Sequence, residues 1–201
     1  MQKFTIVLIA VLLAAFAPTS QASEAKCREI AQREYPNDAQ MQRFTYDQQV
    51  AAYRYMQTVR DADAKEIALR EYPEDFTMQK FTYDQQSAAK RYMTTVQDAQ
   101  VKQIALREYP ADYTMQKFTY DQQFAAKNYM ATVTDAEVKK IALREYPADF
   151  TMQKFTYDQQ FAAKQYMAAM PNGAAKQAAI REYPYDYTMQ KFTYDQAQRG
   201  R

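Results

Sequence analysis

The sequence predicts an all-α fold, an α-solenoid-like array of five helical-hairpin repeats with a period of 37 residues. Three observations predict it. Arg-Glu-Tyr-Pro recurs at Arg33, Arg70, Arg107, Arg144 and Arg181 without an insertion or deletion, and a period of that length holds one supersecondary piece, too small to bury a core alone. Apolar residues within each period fall at helical spacing, as at Val101, Ile104 and Ala105. A proline closes a short helical stretch in every repeat, and a longer stretch follows it.

Residues 1–22 read as a secretory signal peptide. Lys3 precedes an apolar run from Phe4 to Ala17, then Pro18, with Ser20 and Ala22 at the small positions before a cleavage site. The run is shorter than the ~20 residues that a spanning helix needs. The mature chain is therefore expected to begin near Ser23, to be secreted or periplasmic, and to make no stable membrane insertion. The repeat array then occupies residues 23–201, with helix pairs over about 24–59, 61–96, 98–133, 135–170 and 172–198.

The third repeat serves as the type. Asp98 is placed to cap a first helix through Glu108, about three turns long, and Pro110 stops it by restricting Tyr109 and removing an amide donor. After the Ala111-Asp112 turn, Thr114 is the first candidate cap of the second helix and Asp112 the rival. With Thr114 as cap, Tyr113 and Phe118 stand at the spacing of a hydrophobic staple. The second helix runs to about Val133.

On a helical wheel that longer helix carries two apolar stripes. Met115, Phe118, Gln122, Ala125, Ala126, Tyr129 and Val133 share one face, and Tyr113, Tyr120, Phe124 and Ala131 the opposite one. Polar flanks lie between them, with Lys117, Asp121 and Asn128 on one side and Gln116, Gln123 and Lys127 on the other. A helix packed against both its hairpin partner and a neighbouring repeat needs two such stripes.

The tyrosine of the second stripe recurs as Tyr46, Tyr83, Tyr120, Tyr157 and Tyr194, each inside Phe-Thr-Tyr-Asp-Gln. Buried, these rings are core. Exposed, with Phe124 and Phe161 beside them, they form a ladder suited to a protein, peptide or glycan, since a phenol offers apolar area and a hydroxyl at low entropic cost. The adjoining position varies as Val50, Ser87, Phe124 and Phe161. That variation favours partial exposure, so the seven aromatic residues are the predicted ligand-binding set.

Repeated polar residues have packing explanations. Gln122 lies mid-stripe, where an unpaired amide would cost ~1 to 3 kcal/mol, so a hydrogen bond to a neighbouring hairpin is expected. Arg107 and Asp112 are spaced to pair across the bend, a contact worth ~0.2 to 1 kcal/mol when exposed.

Composition excludes most chemistry. The chain has no His and no Trp, two Gly residues, and 26 basic against 24 acidic residues. A catalytic triad, a histidine zinc site and a Gly-rich phosphate loop are all missing their parts. Nucleic-acid binding needs a basic stripe, and here the charges alternate. Carboxylate pairs such as Glu108 and Asp112 are the only general acid-base candidates. No enzyme activity, no cofactor and no metal site are expected.

The single Cys27 has no internal partner, which leaves a free thiol or an intermolecular disulfide. Ala39-Gln40 in the first repeat and Met170-Pro171-Asn172-Gly173 before the last depart from the pattern, as capping repeats do and as older ends beside recently duplicated middle repeats would. Tetratricopeptide hairpins resemble this unit in architecture alone, since their period is about 34 and their pattern carries Trp and Gly. The expected function is binding by a secreted or periplasmic repeat protein. Self-association into a structural protein of the cell envelope or extracellular matrix is the alternative.

Overall fold

A computed structural model describes residues 21–199. Residues 1–20 of the expected signal peptide, and Gly200 and Arg201, lie outside the described residues. Within them the protein is an all-α array of five helical hairpins, each a short helix followed by a long one. The pairs are α1 (Gln21–Glu34) with α2 (Ala39–Thr58), α3 (Ala62–Glu71) with α4 (Phe76–Thr95), and α5 (Ala99–Glu108) with α6 (Tyr113–Thr132). Next come α7 (Ala136–Glu145) with α8 (Phe150–Ala169), and α9 (Ala174–Glu182) with α10 (Tyr187–Arg199).

Local chemistry sets the ends of each helix. Asp98 caps α5 by accepting from the Val101 N–H, and Tyr109 closes it by donating its N–H to the Ala105 carbonyl, just before Pro110. Asp112, not Thr114, caps α6: its carboxylate accepts from the Met115 N–H at 3.1 Å. Thr114 sits inside the first turn and donates its hydroxyl to the same carboxylate at 2.6 Å. Tyr113 is thus the first helical residue, and Phe118 is exposed. The expected staple does not form.

Each hairpin is closed by a glutamine amide. Gln116 is 1 % exposed and its Nε2 donates to the Tyr109 carbonyl at 2.6 Å, which satisfies an orphan acceptor at the end of the short helix. Gln42, Gln79, Gln153 and Gln190 make the same bond to Tyr35, Tyr72, Tyr146 and Tyr183. The last hairpin starts differently. Gly173 stands at the cap of α9 without a side-chain bond, and Lys176 reaches back to the Met170 carbonyl at 2.9 Å.

The chain divides into two compact units at Asp84, within α4. In the first, Met56, Ala64, Ala68 and Tyr83 form a core cluster, and Cys27, Ile30 and Ala31 are buried. In the second, Met93, Val101, Ile104, Ala105, Tyr120, Ala126 and Phe150 form one cluster. Met130, Val138, Ala142 and Tyr157 form another, and Met167, Ala179 and Tyr194 a third.

The buried side of the long helix lies between the two stripes read from the wheel. On α6 it consists of Gln116, Thr119, Tyr120, Gln123, Ala126 and Met130, so the glutamine flank is the seam. The physical reason is the start of the following long helix, whose first N–H groups have no partner inside that helix. Gln123 supplies one: its Oε1 accepts from the Phe150 N–H at 2.8 Å while its Nε2 donates to the Asp149 cap at 2.9 Å. Gln49, Gln86 and Gln160 repeat this double bond to Phe76 and Asp75, to Tyr113 and Asp112, and to Tyr187 and Asp186. The glutamine expected to pair with a neighbouring hairpin, Gln122, is exposed, and the paired one is the next residue.

Candidate binding face

The predicted tyrosine ladder is largely interior. Tyr83, Tyr120, Tyr157 and Tyr194 are buried, with Tyr120 only 4 % exposed. The rings fill the gap over the short helix, and their hydroxyls accept from its cap residue: the N–H groups of Asp61, Asp98 and Asp135 donate to Tyr83, Tyr120 and Tyr157 at 3.4, 3.3 and 3.4 Å. Only Tyr46 is half-buried, and the Arg28 guanidinium lies 5.7 Å over its ring. Expected partial exposure is therefore corrected for Tyr83, Tyr120, Tyr157 and Tyr194. At the neighbouring position Phe124 stacks on Tyr120 at 5.7 Å and Phe161 on Tyr157 at 5.6 Å, whereas Val50 and Ser87 are themselves buried. Phe124 keeps some open surface and Phe161 is half-buried.

Other expectations about polar groups are also resolved. Asp112 is committed to Thr114, Gln86 and the helix start, Arg107 is exposed, and no ion pair joins the two among the described residues. Burial pushes the Asp112 carboxyl up, but the Thr114 hydroxyl, the Gln86 amide and backbone N–H groups pull it further down, below the usual carboxylate range. Glu108 is exposed. Cys27 is 1 % exposed and stands at the register position of Val101 and Val138. It is a core residue, and burial raises its thiol pKa. A disulfide to a second molecule would require the first hairpin to open.

What the long helices expose is the first residue of Phe-Thr-Tyr-Asp-Gln. Phe44, Phe81, Phe118 and Phe155 are each 57 % exposed and Phe192 is 55 % exposed. In the first compact unit a furrow beside Phe81 is lined by Gln48, Ala51, Ala52, Tyr55, Thr77, Lys80 and Asp84. It meets a second hollow through Gln48 and Thr77, where Phe44 and Glu34 form the wall. In the second compact unit the equivalent furrow is lined by Gln85, Ala88, Ala89, Thr114, Lys117, Phe118 and Asp121. Each furrow has two alanines, one phenylalanine and one exposed glutamine in its lining.

The charged rim of each furrow is internally neutral. Lys117 donates to Asp121 at 2.7 Å and lies 4.7 Å over the Tyr92 ring, while the Tyr92 hydroxyl donates to the other Asp121 oxygen at 2.5 Å. Tyr55, Asp84 and Lys80 repeat this arrangement, as do Tyr129, Asp158 and Lys154, and Tyr166, Asp195 and Lys191. The hydrogen bond to Asp121 holds the Tyr92 phenol up at about 12, and Asp158 does the same for Tyr129. Helical residues four apart face each other, which is why Lys117 and Asp121 meet.

Sequence reasoning missed the phenylalanines as a surface because they share a wheel face with Met115, Ala126 and Val133. The glutamine at every buried turn, each matched to an aspartate cap 26 residues later, was the available signal for the true seam. Comparison with protein-family models, curated proteins and solved structures finds no match.

Proposed function

We propose that the protein is a non-enzymatic, secreted or periplasmic repeat protein that holds an extended protein, peptide or glycan partner against the phenylalanine furrows of its long helices. One observation carries this reading. The same phenylalanine stays more than half exposed in all five long helices, with furrows beside Phe81 and Phe118, while Tyr83, Tyr120, Tyr157 and Tyr194 and the seam glutamines Gln49, Gln86, Gln123 and Gln160 are buried. A phenyl ring left in water forgoes ~1.5 to 3 kcal/mol that burial would contribute, and grouped exposed apolar surface marks interaction sites.

The shifts among the titratable groups support a non-catalytic role. Asp112, Asp149, Asp158 and Glu137 are held down, and Tyr92, Tyr129 and Lys164 are held up. All of these move away from neutrality, whereas general acid-base work needs a group tuned toward it.

A photo-crosslinking side chain placed at Phe118 is expected to trap a macromolecule in envelope or culture-medium extracts, and the same group at exposed Gln103 on α5 is not. Equal trapping at both positions would sink the reading. N-terminal sequencing should find Ser23 as the first residue in the periplasmic or secreted fraction; protein retaining Met1 in the cytoplasm would overturn the localisation.

Self-assembly is the second reading. Within the second compact unit Phe118, Phe155 and Phe192 are exposed at one register position of successive long helices, a repeated apolar surface that a second copy could cover. A monomer across micromolar concentrations would remove it.

A further inference from the structure

We infer that the partner is a polypeptide segment in the polyproline II conformation, carrying an apolar side chain at every third residue and running across the long helices. The inference rests on the reading above that the phenylalanine furrows bind a partner, and it names the partner's class. In the second compact unit α6 and α8 lie side by side, tied by the Gln123 bond to Phe150 and the Tyr129 bond to Asp158. The Gln160 bond to Tyr187 and the Tyr166 bond to Asp195 tie α8 to α10 in the same way. Helices in contact have axes about 8 to 10 Å apart, so residues at one register position of successive long helices, as Phe118, Phe155 and Phe192 are, recur at about that interval.

Among regular peptide conformations only one repeats at that spacing. Polyproline II rises ~3.1 Å per residue with three residues per turn, or about 9.3 Å. A strand presents the same face every ~6.7 Å and an α-helix every two turns, ~10.8 Å, both outside that interval, so the mismatch accumulates over successive helices.

The chemistry agrees. Aromatic-lined grooves are what docks proline-rich segments. Polyproline II has no internal hydrogen bonds, so its carbonyls need outside donors. The furrow beside Phe118 offers one exposed glutamine amide, Gln85, and its register equivalents Gln122 and Gln159 are exposed as well. A sugar chain needs many open polar groups, but here Thr114 and Asp121 are already bonded within the protein. The closed Lys117–Asp121 and Lys154–Asp158 pairs leave the rim neutral, which matches an uncharged segment and not a polyanion.

The test is calorimetric titration of the purified protein with synthetic repeats of Pro-Pro-Leu, about one to four turns long. Controls are Pro-Leu repeats of equal length and a neutral β-linked glucose oligomer. Pro-Pro-Leu is expected to bind about tenfold tighter for each added turn that seats a leucine in a furrow. Pro-Leu should bind at least tenfold more weakly. The triple variant Phe118→Ser, Phe155→Ser and Phe192→Ser should lose binding with unchanged helical circular dichroism.

Equal binding of both peptides, or no binding by a monomeric protein, overturns the inference. If the glucose oligomer alone binds and the triple variant abolishes it, the furrow reading stands and the peptide is the wrong occupant. If nothing binds and the wild type sediments as an oligomer that the triple variant dissociates, a second copy covers the face and both statements fall.

Discussion

The two faces of the long helix are repeated with equal regularity and behave oppositely. On one, Gln116, Tyr120, Gln123, Ala126 and Met130 are buried; on the other, Phe118 is exposed, Gln122 and Ala125 are open to solvent, and Tyr129 is partly open. The buried face is the more polar of the two. Regular recurrence therefore does not separate core from surface, because a polar side chain is stable inside when it is hydrogen-bonded there.

The contrast is sharpest between adjacent aromatics. Tyr120→Ala should cost about 3 to 5 kcal/mol in urea unfolding, through a lost ring and the cavity left behind. Phe118→Ala should stay within about 0.5 kcal/mol, since an exposed ring is removed and alanine is the better helix former. Equal losses at both positions would break the assignment of faces. Next in size are neighbouring amides. Gln123→Ala leaves the buried Phe150 N–H without its acceptor and should cost about 1 to 3 kcal/mol. Gln122→Ala should be silent by the same assay.

Titration separates the faces by pH. A carboxyl held down, such as Asp149, contributes stability that is complete above its unfolded value and is lost as pH falls through the folded one. Acid unfolding should thus begin below about pH 4, and Asp149→Asn should flatten that limb. A phenol held up behaves in reverse. Tyr129, raised from 10.0 to about 12 by its bond to Asp158, contributes fully below pH 10 and loses that contribution as pH rises toward 12. Tyr129→Phe should flatten the alkaline limb; an unchanged limb would remove the phenol–carboxylate bond from the account.

The smallest effects concern reactivity and caps. Cys27 should react slowly with a thiol reagent in the native protein and at once in denaturant, whereas Phe118→Cys in a Cys27→Ser background should react immediately. Gly173→Asp should stabilise the last hairpin by a few tenths of a kcal/mol, because nothing lies within 4 Å of an added Cβ there. Destabilisation by that change would show that the glycine has another role.

Much of the fold was legible because it is local. Asp98 before Val101 and Pro110 after Tyr109 bound α5 whatever surrounds it, and Val133 ends α6 where the apolar pattern does. The candidate site was less legible. Phe118 and Tyr120 are two residues apart on a helix with two apolar stripes, and a wheel ranks them alike. Thr114 and Asp112 compete for one cap, and the carboxylate prevails where it also accepts from Gln86 across the junction.

By itself the sequence determined the period, the helix lengths and the residues that start and stop each helix, since those depend on backbone sterics and on hydrogen bonds within a few residues. Tertiary structure alone decided which side of the long helix is interior. That choice rests on bonds spanning 26 to 29 residues, from Gln123 to Asp149 and from Tyr129 to Asp158. Their geometry exists only once neighbouring hairpins are docked, and docking is what turns the tyrosines inward and leaves the phenylalanines in water.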